Sequence, residues 1–208
     1  MNLINKEIYN NLELLPEDSQ GWNGNHNFFK SIIDEVNPKL IVEVGTWKGQ
    51  SAINMGKHIL ETNKDTKIIC IDTWLGAIEF WSWASTTPER NLLLKNGYPQ
   101  IYYQFLSNVV HNGLQDIITP FPNTSENGFR YLSYMKLEPE LIYIDASHEE
   151  DDVYKDVKNY YSILKPGGVI FGDDYGNWVG VRNALGRFKS EMNINMDIID
   201  GNFWVIKK

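Results

Sequence analysis

Two short apolar runs that end in acid constrain this chain more than any other feature. Leu141-Ile-Tyr-Ile-Asp-Ala-Ser-His148 and Gly168-Val-Ile-Phe-Gly-Asp-Asp174 each read as a buried strand followed at once by carboxylates. A helix-like segment and the turn Lys165-Pro-Gly-Gly168 lie between them. Two strands joined by a crossover helix are parallel neighbours, so their carboxyl ends emerge on one edge of a sheet. Asp145, Asp173 and Asp174 then converge at that edge, with His148 just beyond. Three carboxylates in a small volume repel one another unless a cation sits among them. The spacing therefore predicts a site for a hard divalent metal, with Asp145, Asp173 and Asp174 as ligands and His148 as a candidate general base.

The rest of the chain repeats the same rhythm. Helical spacing is read at Phe28 to Val36, Ser51 to Leu60, Glu126 to Met135, Asp151 to Leu164 and Val179 to Met192. Strands are read at Leu40 to Val44, Lys67 to Ile71, Asp116 to Thr119, Leu141 to Ile144 and Val169 to Phe171. Met196 to Ile199 and Asn202 to Ile206 flank Asp200-Gly201, a hairpin signal. Alternating strand and helix closed by a hairpin predicts an α/β fold. It is a doubly wound, mostly parallel Rossmann-like sheet with a C-terminal antiparallel hairpin. Residues 1–208 read as a single domain, interrupted at 74–113 by an unusually aromatic segment.

Composition narrows the function. A net charge of −8 with no basic stripe argues against nucleic acid as a partner. No apolar run approaches the roughly 20 residues that span a bilayer, and Met1-Asn-Leu-Ile-Asn-Lys carries no signal-peptide core. The single cysteine, Cys70, sits in an apolar run and has no disulfide partner. These features predict a cytoplasmic protein without a membrane partner.

A second constellation lies on the first two strands. Glu43-Val-Gly-Thr-Trp-Lys-Gly-Gln-Ser51 supplies small residues for a tight strand-to-helix turn. Trp47 stands where a dinucleotide fingerprint would have its second glycine, which suits an uncharged sulfonium nucleoside better than a pyrophosphate. The next strand ends in Ile71-Asp72-Thr73, where an acid can accept hydrogen bonds from ribose hydroxyls. The two motifs in this order predict an adenosine ligand.

Together these residues resemble the class I S-adenosylmethionine-dependent methyltransferases. Glu43-x-Gly45-Thr46-Trp47-x-Gly49-x-Ser51, then Asp72, Tyr-Ile-Asp145-x-Ser-His148, Leu-Lys-Pro-Gly-Gly168 and Gly-Asp173-Asp174-Tyr175 are similar to the metal-dependent O-methyltransferases. Catechol-type members carry an Asp-Asn pair after strand five. The Asp173-Asp174 pair, with His148 three residues after Asp145, is closer to the macrolide-sugar type. The resemblance implies S-adenosyl-L-methionine as cofactor, held by Glu43, Gly45, Thr46, Trp47, Gly49, Ser51, Asp72, Thr73, Trp74, Ser125 and Asp145. It implies Mg2+ or another hard divalent cation at Asp145, Asp173 and Asp174. Methyl transfer to a small-molecule hydroxyl, on a sugar or a phenolic diol, follows. A nicotinamide oxidoreductase and a non-catalytic cofactor-binding protein are the competing functions.

Several assignments have structural rivals. Asp173 and Asp174 are also good turn residues, and His148 could simply begin the acidic helix that follows. Glu43 could be a buried acid that organises the glycine turn. The segment 74–113, with Trp74, Phe80, Trp81 and Trp83 followed by Tyr98, Tyr102, Tyr103 and Phe105, reads as a lid over cofactor and acceptor, a satellite core or an oligomer contact. Trp74 lies close enough in sequence to Asp72 to wall the adenine.

Overall fold

The computed structural model describes residues 6–83 and 91–208. After a 3-10 turn at Lys6–Tyr9, the elements run α1 Phe28–Val36, β1 Leu40–Val44, α2 Gln50–Glu61, β2 Lys67–Asp72, α3 Ile78–Trp83, α4 Ile101–His111 and β3 Ile118–Pro122. They continue with α5 Ser125–Tyr134, β4 Leu141–Ile144, α6 Glu150–Ile163, β5 Val169–Gly172, α7 Val179–Met192, β6 Asp197–Ile199 and β7 Phe203–Lys207. The strands form one seven-stranded sheet in the order β3-β2-β1-β4-β5-β7-β6. All pairings are parallel except those of β7 with β5 and β6. This is the doubly wound sheet with an antiparallel C-terminal hairpin that the sequence predicts.

The side-chain period of two sorts the strands between two cores. Ile41, Ile68, Cys70, Leu141, Tyr143, Val169 and Phe171 face α1, α2 and α4. Leu40, Val42, Val44, Ile69, Ile71, Ile142, Ile144 and Ile170 face α5, α6 and α7. Both faces are covered, so the parallel strands read as continuous apolar runs rather than alternating ones. Helix α4 differs from the sequence expectation. Residues 101–111 fall inside the aromatic segment, yet Ile101, Phe105, Leu106 and Val109 are buried at helical spacing against the first core. The segment is therefore partly core. Its residues 84–90 lie outside the described residues.

The topology places the site. Strand order reverses between β1 and β4, so β1 feeds a helix on one face and β4 a helix on the other. Loops diverge there and open a crevice at the carboxyl ends. At that point Gly45 has φ +83, and a Cβ on it would stand 2.0 Å from the Asp145 carbonyl oxygen. No side chain fits between these two backbones.

Gly45→Ala is expected to lower the unfolding free energy by roughly 2–5 kcal/mol, combining left-handed strain with a main-chain clash. Denaturant titration of both proteins measures this, and a loss below about 1 kcal/mol would mean that the β1 and β4 termini can separate.

Candidate active site

The β1–α2 turn is held by main-chain capture. The Asp72 carboxylate accepts the N–H of Thr46 at 2.8 Å, of Trp47 at 2.9 Å and of Trp74 at 2.7 Å. Burial pushes this carboxyl up, and the backbone donors of Thr46, Trp47, Trp74 and Thr73 pull it back toward the ionised form. Trp47 and Trp74 both adopt left-handed φ of +52, a conformation that persists for bulky residues only where several contacts fix it. The Trp47 carbonyl accepts the indole N–H of Trp74 at 2.8 Å, and its own indole donates to Gln20 Oε1 at 3.2 Å.

Glu43 lies beneath this turn with no exposure. Its carboxyl accepts hydrogen bonds from the Ser51 hydroxyl and, at 3.9 Å, the Cys70 thiol. Burial pushes it up to about 8, opposed by Ser51 and reinforced by the charges of Asp145 and Asp72. The glycines of the turn answer to protein packing. Beyond the contact of Gly45, a Cβ on Gly49 would lie 2.7 Å from the Phe105 ring.

Two sequence-predicted cofactor residues sit differently from their expected places. Trp74 is only 2% exposed, and its ring packs on Tyr102 and Phe105 at 5.0 Å. It supports the turn from the core side. The Ser125 hydroxyl donates to Asp156 on α6 and so turns from the β3 edge. Thr73 stays at the β2 end, where its hydroxyl accepts the Leu75 N–H at 3.2 Å.

The acids of β4 and β5 do meet. One ligand atom from each of Asp145, His148 and Asp174 falls within 4.8 Å of the others. They line a shallow cleft, with Ile144, Val153, Val181 and Trp204 as its apolar walls. Asp145 accepts the Tyr143 hydroxyl at 2.9 Å. Burial, and then the charges of Asp174 and Asp173, hold its carboxyl well above the usual carboxylate range. His148 Nε2 lies 2.8 Å from Asp174 Oδ2, and Nδ1 lies 3.6 Å from Glu79 Oε1. Its ring stacks on Trp178 at 4.2 Å and 7°. Burial lowers the imidazole pKa, but Asp174, Asp145 and Glu79 outweigh it and leave it raised. Among the described residues His148 is the one cationic group paired with these carboxylates. Two carboxylates and one imidazole within reach of one another form a donor set that fits a divalent cation, the carboxylate oxygens being the part suited to a hard one.

Asp173 stands apart from that triad. Its Oδ1 accepts the Asp174 N–H at 2.7 Å and the Asn202 amide, while Oδ2 accepts Asn23 Nδ2 at 3.1 Å. Three of its roughly four acceptor positions are thus filled by protein donors. Sequence reasoning missed Tyr143, Glu79, Trp178, Asn23 and Asn202. Only Tyr143 left a signal, since residues i and i+2 of a strand share a face.

This fold and site define the class, a Rossmann-like methyltransferase. The model of a family described as "Methyltransferase domain" matches residues 42–175, more than half of the chain, and the chain belongs to that family. A comparison with curated proteins gives no significant match. Among solved structures, the chain is similar to the O-methyltransferase of Bacillus cereus in complex with S-adenosylhomocysteine. That match has a TM-score of 0.61 at 13% identity and covers 97% of this chain and 88% of the other. It is also similar to TomG of Streptomyces achromogenes, an O-methyltransferase involved in tomaymycin synthesis and crystallised with S-adenosylmethionine. There the TM-score is 0.61 at 12% identity, over 93% and 83% of the two chains. A TDP-rhamnose 3'-O-methyltransferase of calicheamicin biosynthesis aligns with TM-score 0.59 at 16% identity, over 86% and 77%. The resemblance read from the sequence holds at the level of family and fold.

Glu43 generates a pH-dependent test. Its ordinary pKa of 4.5 rises to about 8 in the fold, so the folded state binds this proton more tightly than the unfolded chain. Its contribution to stability is full below pH 4.5 and is lost as pH rises through 8. Glu43→Gln should therefore flatten the decline of stability across that window, by up to roughly 1.4 kcal/mol per pH unit. Thermal melts of both proteins from pH 5 to 8 read this out, and parallel curves would mean that Glu43 is ionised in the fold.

Proposed function

We propose that this methyltransferase moves the S-methyl group of S-adenosylmethionine to a hydroxyl of a small-molecule acceptor. The observation that carries the reading is the cluster of Asp145, His148 and Asp174 beside the β1–α2 turn. In the reaction the methyl carbon leaves sulfur and bonds to the acceptor oxygen. The sulfonium becomes the thioether of S-adenosylhomocysteine, and the hydroxyl proton leaves on a base. A direct displacement of this kind depends on alignment, which can supply several kcal/mol.

The chain's own residues divide the work. The β1–α2 turn, anchored by Asp72, holds the nucleoside end of the cofactor, with Glu43, Gly45, Thr46, Trp47, Gly49, Ser51 and Thr73 shaping that loop. Asp145 and Asp174, with Asp173 beside them, would hold a magnesium ion or another hard divalent cation. Bound there, the cation would supply positive charge that favours the ionised acceptor hydroxyl. His148 takes the proton. Trp178 restrains its ring by stacking, and the carboxylates of Asp174 and Glu79 favour the protonated imidazole that results.

The acceptor side is aromatic. Trp22 packs on Phe80 at 6.0 Å, Phe80 on Trp47 at 4.6 Å, and Trp22, Trp81 and Trp178 keep exposed faces. Such walls suit a sugar or phenolic ring carrying a hydroxyl or vicinal diol. We read residues 74–113 as contributing the cover of this acceptor space, and residues 1–208 as one catalytic unit working on a soluble metabolite in the cytoplasm. Among the described residues no helix is long and apolar enough to cross a membrane, which is compatible with that placement.

Two outcomes check the reading. Methyl transfer from S-adenosylmethionine to a catechol or glycoside acceptor should stop on exhaustive chelation and return with magnesium, while S-adenosylhomocysteine binding by calorimetry survives. Full turnover after chelation would return the aspartates to turn and capping roles. His148→Ala should lower kcat by about 100-fold or more with cofactor affinity unchanged, as expected for a positioned base. Wild-type turnover in that variant would leave His148 without a chemical role.

A further inference from the structure

The β5–α7 loop carries two acids side by side, yet they point to different partners. Asp174 faces Asp145 and His148, whereas Asp173 faces two asparagines from opposite ends of the chain. We propose that Asn202, in the turn of the terminal hairpin, and Asn23, in the N-terminal strap formed by residues 15–24 ahead of α1, are positioning residues. They clamp Asp173 and thereby set the two β5-end carboxylates for the metal. This inference rests on the metal-dependent reading above.

Asn202 grips the loop at three points. Its amide Nδ2 donates to Asp173 Oδ1, its Oδ1 accepts Asn177 Nδ2 at 3.3 Å, and its carbonyl accepts the Tyr175 N–H at 3.0 Å. A carboxylate accepts and never donates, so Asp173 fixes which end of the amide faces it. The hairpin also approaches closely at Gly176, where a Cβ would meet the Gly201 carbonyl at 2.7 Å. Loop residues 173–177 therefore rest on the β6–β7 turn.

Asn23 grips from the other side, and its own position is fixed. The strap holding it is tied to the β1–α2 turn through the Asp18–Lys48 ion pair at 2.7 Å, the Gln20–Trp47 hydrogen bond and Gln50 Nε2 to the Ser19 carbonyl at 3.1 Å. Farther back, Asn108 on α4 accepts the Asp18 N–H at 3.0 Å and donates to the Asp18 carbonyl at 2.7 Å. Asn23 holds a left-handed φ of +55, as Asp174 does with φ +66.

Asp173 is 4% exposed. In that setting a carboxylate stays ionised and aimed only while donors face it. The amides supply two such donors without adding a charge that would compete with a cation. Removing one lets the carboxylate turn and lets the loop that presents Asp174 relax.

The test is Mn2+ binding by electron paramagnetic resonance, with S-adenosylhomocysteine present, for the wild type, Asn202→Ala, Asn23→Ala and Asp145→Asn. The clamp predicts Mn2+ bound by the wild type and lost in Asp145→Asn. Its Kd should rise at least fivefold in Asn202→Ala and less in Asn23→Ala, whose side chain is more exposed. S-adenosylhomocysteine affinity should stay within twofold in both asparagine variants. A merely structural role would lower the melting temperature and leave the Mn2+ Kd alone, and that result overturns the clamp while the metal reading stands. No Mn2+ binding by the wild type overturns both. If Asn202→Ala fails to fold, Asn23→Ala carries the same comparison.

Discussion

The main chains of Gly45 and Asp145 touch, and the site is arranged around that contact. Strands β1 and β4 are paired from Ile41 with Leu141 to Val44 with Ile144, so their next residues leave the sheet together. One turns into the cofactor loop and the other into the acidic loop. The absence of a side chain at residue 45 lets both turns begin within a single layer of atoms. In the proposed reaction the methyl carbon on sulfur and the acceptor oxygen must come to about 3 Å of each other. Two loops that already share a van der Waals surface at their roots meet that demand without a large closing motion.

Around this contact the chain spends much polarity on holding backbone. Asp72 binds three amides, Glu43 sits under the turn with Ser51 and Cys70, and Asn108 ties strap to helix. Buried polar groups are costly unless satisfied, so each network fixes one geometry. The acidic cluster is the exception. Asp145, Asp174 and Glu79 converge with one imidazole among them, an arrangement that the fold tolerates and does not itself require.

Much of this was legible in the sequence because it is local. Apolar runs ending in Asp145, Asp173 and Asp174, the Gly45 turn and the Asp200-Gly201 hairpin each rest on contiguous residues, and the parallel topology follows from their order. What the sequence hid is lateral. Asn23 reaches Asp173 across 150 positions and Asn108 reaches Asp18 across 90. No periodicity marks such pairs. Trp74 was hidden for another reason: its left-handed backbone turns the ring into the core, while its neighbours in sequence head for the site. The aromatic segment divides likewise. Trp74, Leu92, Ile101 and Phe105 are core, whereas Ile78 at 78% and Trp81 at 49% exposure face outward beside Glu79.

The left-handed backbone at Asp174 narrows what evolution can place there. With φ +66, β-branched and bulky residues carry a steric penalty, glycine carries none, and Asp and Asn carry little because their short side chains bond locally. In the proposed metal site, a hard cation favours an oxygen-bearing side chain. The overlap of the two filters is Asp or Asn, the same alternatives that the resemblance to sugar-type and catechol-type enzymes implies after strand five. Exchanging Asp174 for Asn would then replace a full negative charge by a neutral amide without rebuilding the loop. The charge of the site can thus change by one unit while the backbone that shapes it stays the same.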